Sequence, residues 1–324
     1  MNRITLPALR SDDSLGFMAA LGALELLVNV EGLDALLGWE GLGGAAVLVV
    51  DLPGAEAVAE RLRSVAVRLG EEGRLVPGDP SLVPARRSMA ERRERKSLGI
   101  EEKNDPMRGT PAMVRDRLLA VAALEGAGDG LSPRWAAGLV TMLGLDRTGN
   151  CLLTPLYAPA GQQVLGQLLA KYLALAGQPG HLHEALVAWR RRPDSGANLD
   201  HRDLRDAAWS ARGEPENASV PGATWLALMA APLFRQTGDG RRGEAVGWAR
   251  DRRSVRPRTL LWPVWDDPRS LPAVEVLLGH PEVRATERRP AALGALGVVA
   301  VCEARRTPLG NADGPLQPTA VVWP

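Results

Sequence analysis

Residues 11–30, SDDSLGFMAALGALELLVNV, place polar turn-formers directly before an apolar run whose only charge between Leu15 and Val28 is Glu25. The uncharged stretch Leu15–Leu24 is ten residues long, half of the roughly 20 that a membrane span needs. Asp12, Asp13 and Ser14 offer side-chain oxygens to the unpaired N–H groups that open a helix, so the spacing predicts a helix from Leu15. On a helix, Leu15, Met18, Ala19, Gly22 and Leu26 form one face, and Phe17, Leu21, Leu24 and Val28 the opposite one. A helix apolar nearly all round is one that a fold buries on every side.

The segments around it predict an α+β, helix-rich fold: a buried N-terminal helix, a mainly helical middle and strands near both termini. Residues 3–9, 45–52, 258–265, 296–306 and 318–323 read as strands, and the terminal strands are expected to share one sheet. Residues 55–73 carry Val58, Leu62, Val65 and Leu69 on one helical face. Stretches within 112–145 and 160–192, among them PRWAAGLVTMLGL (133–145), read as helices, as does 221–234, closed by Pro232. The expected organisation is an N-terminal α/β unit (1–76), a basic polar linker or loop (77–111), and a helical middle with a C-terminal α+β part (112–324) packed on the first unit. With nine Trp against two Tyr and two Phe, tryptophan must fill core positions that phenylalanine usually takes.

Catalytic and cofactor signatures do not emerge. There is no G-x-x-x-x-G-K-[ST] and no G-x-G-x-x-G between strand and helix; the glycines of GLGGAAVLVV (41–50) precede the strand. There is no G-x-S-x-G elbow. Cys151 and Cys302 are too far apart in sequence for a CxxC site, and two cysteines suit a reducing cytoplasm. MNRITLPALR lacks the basic-then-apolar order of a secretory signal. His181 and His183, at i and i+2 of a helix start, point apart, so a surface or capping role is expected for them and for Asp200-His201. No catalytic residue, metal site or cofactor is therefore assigned, and the sequence gives little reason to read an enzyme.

Local positive charge remains. The whole chain carries a formal +1, yet 85–99 holds six Lys/Arg and two Glu, and 235–258 holds eight Arg and three acids. Arg190, Arg191 and Arg192 form a third cluster. Arginine suits bidentate phosphate contacts, and an indole can stack on an unpaired base. The candidate nucleic-acid-binding residues are Arg86, Arg87, Arg92, Arg93, Arg95, Lys96, Arg241, Arg242, Arg250, Arg252, Arg253, Arg256 and Arg258, with Trp248 among them. The competing explanation is a solvated loop whose charges are offset by acids elsewhere.

The opening LPALRSDDSLGFMAALGALELL resembles the N-terminal segment of proteins in type I CRISPR effector systems, particularly subtype I-G. Leu15, Gly16, Phe17, Ala19, Ala20, Leu21 and Gly22 match that pattern; Met18 replaces a Leu, and Asp13-Ser14 stand where Asn-Pro is usual. PGATWLALMAAPLFRQTG, LLWPVW and LGALGVVAVCEARR leading to GPLQP follow an order similar to accessory proteins encoded beside the subtype I-G helicase-nuclease. The resemblance covers the first 30 residues or so and 220–318, and leaves the middle uncovered. It implies a cytoplasmic subunit of, or accessory to, an RNA-guided antiviral complex. The implied partners are effector subunits and the helicase-nuclease, with DNA, guide RNA or both, and no membrane. No catalytic residue carries over.

Three functions compete on this reading. The first is backbone binding through the arginine loops. The second is a protein-only adaptor that exposes 221–234 and 258–265 with Trp225, Trp262 and Trp265. The third is a metal-dependent hydrolase built on His181, His183, Asp200 and His201.

Overall fold

Alternating apolar residues turn Ile4 and Leu6 of β1 (Asn2–Arg10) into the interior, where Leu9 joins them. In the computed structural model, which describes residues 1–84, 105–125, 130–158, 164–194, 196–203, 218–251, 254–309 and 312–323, the chain is a mixed α/β fold. Asp13 caps α1 (Ser14–Glu25), its carboxylate accepting the Gly16 N–H at 2.9 Å. All twelve residues of α1 are buried, as its sequence requires, and the helix runs into a π-helical turn at Leu26–Val30. β2 (Ala35–Trp39) and β3 (Ala45–Val50) join β1 in an antiparallel sheet ordered β1-β3-β2, with β3 paired to both. Val58, Leu62, Val65 and Leu69 of α2 (Ala55–Glu71) are all buried.

The middle holds α3 (Pro111–Glu125), α4 (Leu131–Leu139), β4 (Val140–Leu145), β5 (Cys151–Leu153), α5 (Leu165–Ala176) and α6 (His181–His183) with a π-helical turn, Glu184–Ala188. Two-residue strands β6 (Arg192–Pro193) and β7 (Ala218–Ser219) pair before α7 (Pro221–Met229), which ends in a 3-10 turn, Ala231–Phe234. Residues 133–145 are thus not one helix. The helix stops at Leu139, and 140–145 pairs antiparallel with β5. Val140 and Thr141 are β-branched, and the tertiary pairing overrides the helical spacing of the apolar residues.

A second sheet follows, built from β8 (Gln236–Gly238), β9 (Gly243–Ala245), β10 (Trp248–Ala249) and β11 (Thr259–Trp265). After β12 (Arg269–Ser270) come α8 (Leu271–Gly279), α9 (Pro281–Arg284) and α10 (Pro290–Ala295). β13 (Val298–Leu309), β14 (Ala312–Leu316) and β15 (Ala320–Trp323) close the second sheet, in the order β14-β13-β11-β10-β9-β8 with β15 also on β13. The terminal strands therefore lie in two sheets rather than one; only β12 crosses over, pairing with Leu36 and Leu37 of β2. Pro263 sits in the middle of β11, but β10 reaches only Thr259 and Leu260. Its missing N–H thus falls where β11 has no second neighbour.

Helix α1 lies between the sheets and joins them. Phe17 stacks on Trp39 of β2 at 5.6 Å and on Trp262 of β11 at 5.5 Å, with Trp265 edge-on at 6.2 Å. The two β11 indoles also donate outward, Trp262 to the Ser11 carbonyl at 2.8 Å and Trp265 to the Leu37 carbonyl at 2.7 Å. Most of the buried apolar residues form one cluster, drawn from Ile4 in β1 through to Leu316 in β14. Every residue of 221–234 and of β11 is buried, so Trp225, Trp262 and Trp265 are core and give an adaptor no surface.

Candidate nucleic-acid interface

The hairpin between β8 and β9 turns on Asp239. Its carboxylate accepts the backbone N–H groups of Arg241 at 2.9 Å and Arg242 at 2.6 Å, which holds its own pKa below the ordinary carboxylate range. Gly240 takes a φ of +88°, which a side chain rarely tolerates. The acid is spent on backbone, and the two guanidinium groups it presents are exposed, with no hydrogen-bond or ion-pair partner among the described residues.

This tip is pinned to a second turn. Leu145 N–H donates to the Arg241 carbonyl at 3.1 Å, and Gly240 N–H donates to the Leu143 carbonyl at 2.9 Å. In the 146–150 turn, Asp146 accepts from the Thr148 N–H and hydroxyl, both at 2.8 Å, from the Asn150 N–H at 3.1 Å, and from Arg108 at 2.6 Å. Burial alone would raise the Asp146 pKa; these donors outweigh it and hold the group at about 2. Arg147, next along the turn, is exposed and without a partner among the described residues.

The third piece is 254–258. Ser254 hydroxyl donates to the Arg256 carbonyl at 2.8 Å and accepts the Arg256 N–H at 3.1 Å, and Gly243 N–H donates to the Val255 carbonyl at 3.0 Å. That bond sets Arg256 beside the 241–243 turn, where it and Arg306 line a small polar cleft with Thr154, Tyr157, Gln236 and Asp313. Arg258 is matched by Asp313 at 2.6 Å, and Arg250 donates to the Ser254 carbonyl at 3.2 Å.

Arg306 is buried at the back of the cleft and forms no ion pair among the described residues. It donates to the carbonyls of Asn198 (2.9 Å), Gly314 (3.1 Å) and Pro155 (2.7 Å) and lies 5.6 Å from the Trp248 ring centre. Burial pushes its pKa down to about 10, with Asp313 opposing and Arg256 adding to the shift.

The expected binding set thus divides. Arg241, Arg242, Arg250, Arg256 and Arg258 share one neighbourhood. Arg252 and Arg253 lie outside the described residues, as do Arg86, Arg87, Arg92, Arg93, Arg95 and Lys96. Trp248 is a correction: it is 2% exposed, packed edge-on to Phe234 at 6.3 Å and covered by Arg306, so no base can stack on it. An aromatic inside an arginine run suggests stacking, yet here the indole fills the sheet's inner face. Arg108, Arg147 and Arg306 give no such signal in sequence, because Arg108 and Arg147 are isolated and Arg306 has only Arg305 beside it, far from the 235–258 run; the fold brings them here.

The histidine candidates do not converge. His181 is buried with its pKa pushed down, chiefly by burial, and His183 is exposed. Asp200 belongs to an ion-pair knot: Arg202 contacts it at 3.0 Å and the α1 cap Asp13 at 2.7 Å, while His201 stands 3.8 Å from Asp200. Among the described residues no three His, Cys, Asp or Glu side chains gather as a metal site. No helix among them is long and apolar enough to cross a membrane.

A scan against protein-family models and a search of the curated proteins both find no match to this chain.

Proposed function

We propose that this chain is a non-catalytic component of an RNA-guided antiviral complex of the type I CRISPR class, contacting the phosphate backbone of DNA or RNA through its arginine-rich turns. The complex class rests on the resemblance at Leu15–Gly22 and in 220–318. One observation carries the backbone contact: Arg147, Arg241 and Arg242 stand on two turns joined by the Leu145–Arg241 hydrogen bond, and none has an acidic partner among the described residues. Unpaired guanidinium groups on rigid turns gain most from phosphate, because no intramolecular ion pair has to be broken first.

The test is binding of single- and double-stranded oligonucleotides across a salt series, by the chain alone and with its effector subunits. Affinity should fall linearly on log–log axes, by about 0.7–0.9 in slope per phosphate neutralised. Charge reversal of Arg241 and Arg242 should flatten that line. Salt-independent binding, or none in either setting, overturns the proposal.

A protein-only adaptor remains the second reading, now on a different surface. Leu119 of α3 is 62% exposed and Leu143 of β4 is 51% exposed, and large apolar side chains in such positions suit a protein partner. Co-purification with effector subunits that survives nuclease treatment and the Arg241/Arg242 reversal would favour it.

A further inference from the structure

The cleft behind the 241–243 turn has an imbalance that the surface arginines lack. Arg108 is matched by Asp146 and Arg258 by Asp313, and Arg306 is satisfied by three carbonyls. Arg256, half-buried at the mouth, has no hydrogen-bond or ion-pair partner for its guanidinium among the described residues. Its neighbours do not compensate it. Burial first, and then the charge of Arg108, lower its pKa; Asp313 and Asp146 act the other way but both are engaged elsewhere. A partly desolvated cation with an empty fork costs the free protein stability. Perturbed, partly buried charges of this kind cluster at functional sites.

The cleft itself indicates the chemistry. Arg256 and Arg306 line the recess together with Thr154, Tyr157 and Gln236, against the single acid Asp313, which Arg258 already engages, so the lining is net positive and favours a compact oxyanion. The recess is narrow, with room for about one water, so the anion sits at the mouth on the Arg256 fork rather than inside. We infer that Arg256 anchors a site for one phosphate group, set behind the exposed Arg241–Arg242 turn. The assignment of that phosphate to a nucleic-acid backbone rests on the function proposed above; a free phosphate or phosphorylated small molecule presents the same oxygens.

The experiment compares wild type with Arg256→Gln, Arg256→Lys and the double variant Arg241→Gln/Arg242→Gln. Thermal midpoints are read in chloride and then with inorganic phosphate at matched ionic strength. In chloride, Arg256→Gln should melt at or above wild type, because an uncompensated charge has been removed. Phosphate should raise the wild-type midpoint saturably, raise Arg256→Lys less, and leave Arg256→Gln unmoved. A lower midpoint for Arg256→Gln in chloride, or a phosphate response equal in all variants, overturns the inference and makes Arg256 structural.

A second arm titrates a single-stranded oligonucleotide. If the phosphate comes from the backbone, Arg256→Gln loses about tenfold in affinity and about 0.7 in salt slope. If Arg256→Gln loses only the phosphate response, the source is a free phosphate. Oligonucleotide binding lost in the Arg241/Arg242 variant while no variant responds to phosphate would leave the proposed function standing without this site. A phosphate response at Arg256 with no oligonucleotide binding by wild type would leave the site standing without that function.

Discussion

Arg134 of α4 grips Glu25 of α1 with both prongs of its guanidinium, Nε to Oε1 at 2.8 Å and Nη2 to Oε2 at 2.6 Å. Glu25 is fully buried, and the same Arg134 Nη2 also reaches Glu275 of α8. The one charge in the apolar helix is therefore the point at which three helices are tied together. Arg134→Met should destabilise the fold by about 3–5 kcal/mol, because among the described residues it leaves the buried carboxylate with the Asn29 amide alone as a hydrogen-bond partner. Glu25→Leu combined with Arg134→Met should cost less than Arg134→Met alone. Urea unfolding of the three proteins checks both statements; a double variant weaker than the single one contradicts them.

Gly22 is where α1 meets α7. A Cβ built there would lie 1.7 Å from the Leu226 carbonyl oxygen, a backbone atom that cannot swing aside. Gly22→Ala should therefore cost about 3 kcal/mol or more, against the gain of about 1 kcal/mol that Ala usually brings to a helix interior. The measurement is the denaturant midpoint, and a stabilised variant would mean the two helices are not in contact.

Asp146 sets an acid limit. Its pKa falls from an ordinary 3.8 to about 2, so its stabilisation is complete above the unfolded value and is lost as pH drops from about 4 through 2. Asp146→Asn should lie about 2 kcal/mol below wild type at neutral pH, with the gap closing as pH falls through that window. A gap constant with pH would show that the carboxylate charge does not matter. Arg108, released from Asp146, should in turn add to anion binding in this variant.

Cys302 sets an alkaline one. The thiol is buried in β13, and burial, aided by Asp12, pushes it up to about 12 from an ordinary 9.0. The folded protein keeps a proton that the unfolded chain releases, so stability is lost as pH rises above about 9 toward 12. Cys151 is buried with its pKa also raised. Neither thiol should react with a thiol reagent at pH 8 until denaturant is added. Rapid labelling of the native protein would contradict the burial of both.

The central helix was legible because its evidence is local. Asp13 before Leu15 is a cap, and a run without charge save Glu25 leaves burial as the only outcome. The strands 45–50 and 259–265, and the buried face of α2, are legible for the same reason: a repeating choice of side chain reports one environment. Trp248 and the 133–145 segment differ from their sequence reading because their fate depends on what packs against them. An indole within an arginine run reads as a ligand platform until a sheet covers it, and an apolar run reads as helix until a neighbouring strand pairs with it.

The buried helix, the tryptophan-filled core and the excess of arginine over acid in 235–258 follow from local pattern and composition. Which arginines stand free follows from which strands meet. Asp239 lies two residues from Arg241 but spends its carboxylate on backbone N–H groups, while Asp313 reaches across the sheet to take Arg258. Arg256, equally charged in sequence, has no acid partner among the described residues, because the pairing of distant strands gives Asp313 to Arg258 and Asp146 to Arg108. Charge composition is additive along a chain; charge compensation is a matter of distance, and distance is set only when the strands meet.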